Sequence, residues 1–177
     1  MNSKFIWLIG ENEGRTHNNN SYYYWKHIVE KDDNVEKYFV MEKNKNNKEF
    51  YKSLPNNLKK LILWRNSLKH YKMYFSSDMF FVTLSYLDVV PNKFLGKKII
   101  LKVKKTTIYL QHGITAIKQL GYTGQSYNNN MFRFCYYNPL IKNDLIKCNK
   151  FKDYQLFYAE YFPRYIELLK KEEKYND

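Results

Sequence analysis

Cysteine, proline and glycine are all scarce in this sequence, at two, four and six residues of 177. The two cysteines, Cys135 and Cys148, have no CxxC partner. A zinc site needs about four clustered Cys or His ligands, so no metal site is expected. Without a secretory signal a structural disulfide is not expected either. Long apolar runs are also missing. The run in MNSKFIWLIG is only strand-sized, and no stretch approaches the ~20 apolar residues of a membrane span. The expected location is therefore the cytoplasm, with peripheral attachment to the inner face of the cell membrane left open. No internal repeat and no RRM, KH or helix-turn-helix signature is present, so no specific nucleic acid is expected as a partner.

What is present is enough for one domain with a real core. The apolar fraction is 44% and the aromatic fraction 19%, well outside disordered composition. The many Asn, Lys and Tyr residues also carry the mark of an AT-rich coding bias, which weakens arguments from composition. Net charge is +13, from 30 Lys and Arg against 17 Asp and Glu. A basic surface attracts anions: phosphorylated substrates, acidic lipid head groups or nucleic acid. The charge is spread from Lys4 to Lys174 and not gathered in one arm, so a plain solvated basic surface explains it at least as well.

Periodicity predicts an alternation of strands and helices. Residues 5–9 form a continuous apolar run ending at Gly10, as in strands buried inside parallel sheets. Further strands are predicted at 35–41, 79–84, 106–110, 131–137 and 154–158. Helices are predicted at 21–31, 58–73, 114–120, 139–148 and 163–174. The 58–73 helix rests on Leu58, Leu61, Ile62 and Leu68 on one face, with Arg65 and Lys69 opposite. Residues 42–57 read as a polar stretch with a turn at Pro55, and the basic 97–105 segment as a half-exposed strand or loop. The fold class that follows is α/β: a parallel sheet flanked by helices.

The segment TTIYLQHGIT concentrates the chemistry. A buried strand runs into Gln111-His112-Gly113, at the carboxyl edge where open α/β sheets bind ligands. Gly113 lets the backbone turn sharply and a ligand come close. The start of the following helix would offer free N–H groups to an anion. A near-neutral imidazole there can exchange protons with a hydroxyl. By position alone, His112 as a catalytic residue and His112 as a simple strand cap are equally good readings. His17 lies in the first loop and could line the same edge. His27 and His70 fall in helices and read as structural or exposed. The Tyr22 to Trp25 aromatic run reads as core packing.

The string from Leu110 to Lys118 resembles the QHG-x-T-x-x-K element of the CDP-glycerol glycerophosphotransferase family. Residues Trp7 to Glu11, followed by Asn19-Asn20-Ser21-Tyr22, resemble the family's first strand, acidic residue and helix start. The passage from Lys72 to Leu84 is similar to the family's approach to the HG element. Phe162-Pro163-Arg164 and the residues after it resemble its Pro-Arg segment. Asn19 stands where the family often has Asp, and Tyr161 where Gly is usual. The resemblance implies a GT-B-like pair of Rossmann-like domains. Residues 1–160 would be the N-terminal, acceptor-side domain. Residues 161–177 would lead to a C-terminal nucleotide-binding domain absent from this sequence, so the isolated chain is expected to release no CMP.

The reaction it implies is attack by an acceptor hydroxyl on the β-phosphate of a CDP-linked polyol phosphate. The acceptor would be a polyol phosphate or a lipid-linked glycan, as in teichoic-acid synthesis. His112 would be the catalytic residue, as base or as hydrogen-bond donor to phosphate. Gln111, Gly113, Thr115, Lys118, His17 and Arg164 would bind substrate, with no cofactor. The reading that does without catalysis is a basic α/β module holding anionic membrane or nucleic acid.

Overall fold

A computed structural model describes residues 4–91, 105–112, 132–167 and 169. Its core is a seven-stranded, all-parallel sheet. The strands are β1 (Phe5–Gly10), β2 (Val35–Met41), β3 (Ile62–Trp64), β4 (Met79–Val82), β5 (Thr106–Tyr109), β6 (Phe132–Tyr136) and β7 (Leu156–Tyr158). They lie in the order β3-β2-β1-β4-β5-β6-β7. The α/β expectation from strand–helix alternation is met, and the arrangement is Rossmann-like.

Both faces of the sheet are covered, which explains the continuous apolar runs in the strands. Alternate side chains fill two separate cores. Leu8, Tyr38, Val40, Phe80, Val82 and Phe134 pack on one face with Tyr74 and Leu145. Ile9, Phe39, Met41, Phe81 and Cys135 pack on the other with Trp25 and Ile28. The second layer is α1 (Asn20–Ile28) with α2 (Lys45–Ser53). Trp25 donates its indole N–H to the Lys37 carbonyl at 3.0 Å, which locks α1 onto β2. Of the Tyr22 to Trp25 run, Trp25 is buried in this core and Tyr22 and Tyr24 pack against it, as read from the sequence, while Tyr23 lines a cavity.

The predicted 58–73 helix is not formed. A four-residue helix, α3 (Asn56–Lys59), leads instead into β3, and then α4 (Leu68–Ser76) begins. The apolar residues 61–64 fit a helical face, but they are also consecutive. Pairing with the edge of β2 buries Ile62 and Leu63 and satisfies their backbone, and this wins over the helical period. Asn66 turns the chain with a φ of 63°. Ser67 then caps α4, accepting from His70 N at 3.2 Å. Leu68, assigned to the apolar face, is 90% exposed.

The polar 42–57 stretch in turn hides α2, capped by Asn44, whose side chain accepts from Asn47 N at 2.8 Å. The 139–148 helix is a 3-10 turn followed by α5 (Lys142–Lys147). The last strand is shorter than expected, since residues 153–155 form a 3-10 turn. Residues 163–167 are helical, as the Pro163 start suggested. The 97–104 part of the basic segment and the 114–120 helix lie outside the described residues.

Candidate active site at the carboxyl edge of the sheet

The chain leaves β1 for β2 on one side and reaches β4, β5 and β6 on the other. The strand order therefore reverses between β1 and β4, where parallel sheets open a crevice beyond their carboxyl ends. Three segments meet there: the loop after β1, the turn after β4 and the turn after β5.

The turn after β4 presses directly on the end of β1. A Cβ on Gly10 would lie 2.4 Å from the Asp88 carbonyl oxygen, so only glycine fits. The buried Asp88 carboxylate gathers the turn by accepting from Glu13 N (2.9 Å), Thr83 N (3.0 Å) and Leu84 N (2.8 Å). Burial pushes this carboxyl above the usual range, while those N–H groups pull it back. Arg65 braces the turn from outside through the Leu87 carbonyl at 2.9 Å. His70 does so from below: its Nε2 meets the Val89 carbonyl at 2.9 Å, while Nδ1 accepts from Asn66 N. Burial lowers the His70 pKa to about 4, so the ring is neutral.

The loop after β1 is organised by Glu11, which is wholly buried. Its carboxyl accepts from Asn18 N (2.7 Å), Asn19 N (2.9 Å), Tyr22 N (2.9 Å) and the Thr16 hydroxyl (3.2 Å). Burial pushes its pKa up to about 7, against the opposing pull of those donors. The first turn of α1 is thereby closed. Asn20 N donates to Asn19 Oδ1 at 2.8 Å, Ser21 N to Thr83 Oγ1 at 3.1 Å and Tyr22 N to Glu11. A helix start with free N–H groups is a ready anion site. Here a carboxyl of the protein already fills it, and a phosphate has no donor left at α1.

The turn after β5 carries His112. Gln111 has a φ of 60°, the left-handed region, where a non-glycine residue costs about 1–3 kcal/mol. Three contacts hold that turn. The Gln111 side-chain amide donates to the Cys135 carbonyl. Asn20 Nδ2 donates to the Gln111 carbonyl at 2.9 Å. Tyr137 donates its hydroxyl to the Leu110 carbonyl at 3.0 Å. Gln111 is itself buried, so its side chain builds the turn from inside. His112 follows with an exposed ring, and its Nδ1 lies 2.6 Å from Asn19 Nδ2.

The other sequence candidates divide. The Arg164 backbone N–H donates to Asn20 Oδ1 at 3.4 Å. Asn20 thus joins the His112 turn and the Pro-Arg turn through one side chain. His17 is held elsewhere: it stacks on Phe50 of α2 at 4.0 Å, and its Nδ1 meets Asn47 Oδ1. Gly113, Thr115 and Lys118 lie outside the described residues. Beside the His112 turn is a cavity of about 400 Å³ lined by Tyr24, Leu110, Tyr137, Phe157, Tyr161 and Ile166, among others. The sequence reading passed over Asn19, Asn20, Thr83 and Asp88 as site residues. The Asn-Asn-Ser start of α1 was the visible signal for the first two.

An all-parallel sheet with a crevice at its carboxyl edge is the ligand-binding arrangement of Rossmann-like proteins. More narrowly, the sequence model of CDP-glycerol:poly(glycerophosphate) glycerophosphotransferases matches residues 1–162, and the chain belongs to that family. Its members are transferases, which implies a nucleotide-linked donor and a hydroxyl acceptor. No curated protein and no solved structure matches the chain.

Proposed function

We propose that this chain forms the acceptor-side domain of an enzyme that moves glycerol phosphate, or a related polyol phosphate, from a CDP-linked donor to an acceptor hydroxyl. Teichoic-acid or surface-polysaccharide synthesis at the inner face of the membrane is the setting that fits. The hydroxyl oxygen bonds to the β-phosphorus, the bond from that phosphorus to the bridging oxygen breaks, CMP leaves, and the hydroxyl proton passes to a base or to solvent.

The observation that carries the reading is the pairing of an exposed, anchored His112 with a closed α1 start. In a nucleotide-binding Rossmann half the first helix start holds the phosphates. Glu11 occupies that place here, which suits the half that presents the acceptor. His112 is left as the described group at this edge best placed to meet the reacting phosphate, with Gln111 and Arg164 tied to the same Asn20 node. Gly113, Thr115 and Lys118 are proposed to bind substrate together with His112, and the cavity beside Leu110 to take the apolar part of an acceptor.

The test is CMP release from CDP-glycerol, with a glycerol-phosphate acceptor, by an enzyme joining this domain to a nucleotide-binding partner. His112→Ala should lower kcat by ~10²–10⁴-fold with the fold intact, because the ring is exposed. Normal turnover in that variant removes His112 from the mechanism.

A further inference from the structure

The ring of His112 touches one described side-chain partner, and that partner has no freedom to choose its role. The Asn19 amide has an oxygen end and a nitrogen end. Asn20 N lies 2.8 Å from one end, and a backbone N–H can only donate, so that end is the oxygen. The end facing His112 Nδ1 at 2.6 Å is therefore the NH₂ group, which can only donate. Turning the amide over would set its NH₂ group against the Asn20 N–H, a donor against a donor. Turning the ring over would put a carbon against the amide N–H. Both alternatives lose a hydrogen bond without replacing it. His112 Nδ1 must then be the unprotonated nitrogen, and in a neutral imidazole the proton sits on Nε2.

We propose that Asn19 is a positioning residue that holds His112 in the Nε2–H tautomer, so that the histidine meets the reacting phosphoryl group as a hydrogen-bond donor and not as a proton acceptor. This rests on the reaction class proposed above and decides between the two roles open to His112 there. The chemistry agrees. Phosphoryl transfer through a loose transition state asks mainly for alignment and stabilisation of charge on the phosphoryl oxygens, which a fixed N–H supplies. The support for Asn19 is itself built in: its backbone N–H is held by the Glu11 carboxyl and its side-chain oxygen by the first turn of α1. A carboxylate at this position would do the opposite. It can only accept, so it would draw the proton to Nδ1 and leave Nε2 as a base.

The experiment is nitrogen NMR on the chain labelled at its four histidines, at a pH where every imidazole is neutral. The His112 signals are assigned by their loss in His112→Ala. We expect wild-type His112 to show one fixed Nε2–H tautomer. Asn19→Ala should relax it to the averaged mixture of a free imidazole, and Asn19→Asp should reverse it to Nδ1–H. His70 reports on the fold, because Asn66 N and the Val89 carbonyl fix its tautomer independently. An averaged or Nδ1–H wild-type signal overturns the assignment, and that measurement needs no variant of Asn19. So does an Asn19→Ala protein whose His112 keeps the wild-type pattern. The spectrum reads the ring and not turnover. A working transferase with an Nδ1–H histidine would sink this inference alone, while a fixed Nε2–H ring without transfer would sink only the proposed function.

Discussion

Glu11 is a carboxyl with no contact with water, surrounded by N–H and O–H donors of its own loop. Its pKa is about 7 in the folded chain, against an ordinary value of 4.5. Between those values the native state binds a proton that the unfolded chain has released. The stability linked to Glu11 is therefore full below pH 4.5 and declines as pH rises towards 7. Urea midpoints measured across this window should fall more steeply in wild type than in Glu11→Gln, which cannot titrate. Parallel curves would refute the shift. Glu11→Gln should also be less stable at low pH by about 1–3 kcal/mol, since its NH₂ group must face a backbone donor and leave it unpaired.

At the scale of elements, the site depends on how closely the 83–88 turn sits on β1. Gly10→Ala would drive a methyl into the Asp88 carbonyl, and backbone cannot swing aside as a side chain can. The expected loss is about 1–3 kcal/mol in urea unfolding. A neutral result would mean that the turn is looser than its hydrogen bonds imply. The replacement of a long helix by α3, β3 and α4 can be tested as cleanly. Leu63 is fully buried in β3 and Leu68 is 90% exposed. Leu63→Ala should cost about 2–5 kcal/mol, whereas Leu68→Ala should stay within about 0.5 kcal/mol of wild type. A continuous helix with Leu68 on its apolar face would reverse that order.

For the whole molecule, the net charge of +13 is the property that bears on partners. No helix of the described residues is long and apolar enough to cross a membrane. A basic protein gains from anionic head groups at a membrane surface. Sedimentation with anionic vesicles should be strong at low salt and fall away above ~0.15 M, where the Debye length is about 8 Å. Neutral vesicles should retain little. Binding indifferent to salt, or absent on anionic vesicles, would leave the charge as a solvated surface only.

Much of this was legible along the chain, for a physical reason. A strand buried on both faces is apolar along its length, so β1 and β4 announced themselves by their unbroken apolar runs. The His-Gly pair after β5 pointed to the carboxyl edge, where α/β sheets bind ligands. Local patterning could not decide between helix and strand at 61–64, because the same four apolar residues satisfy both periods. A free edge on β2 made the choice. Nor could it show that Glu11 fills the start of α1, or that Asn19 fixes one nitrogen of a histidine 93 positions away. The second of these joins the segments that follow β1 and β5, strands remote in sequence. Only the order in which the sheet assembles, β1 beside β4 beside β5, brings them within a hydrogen bond.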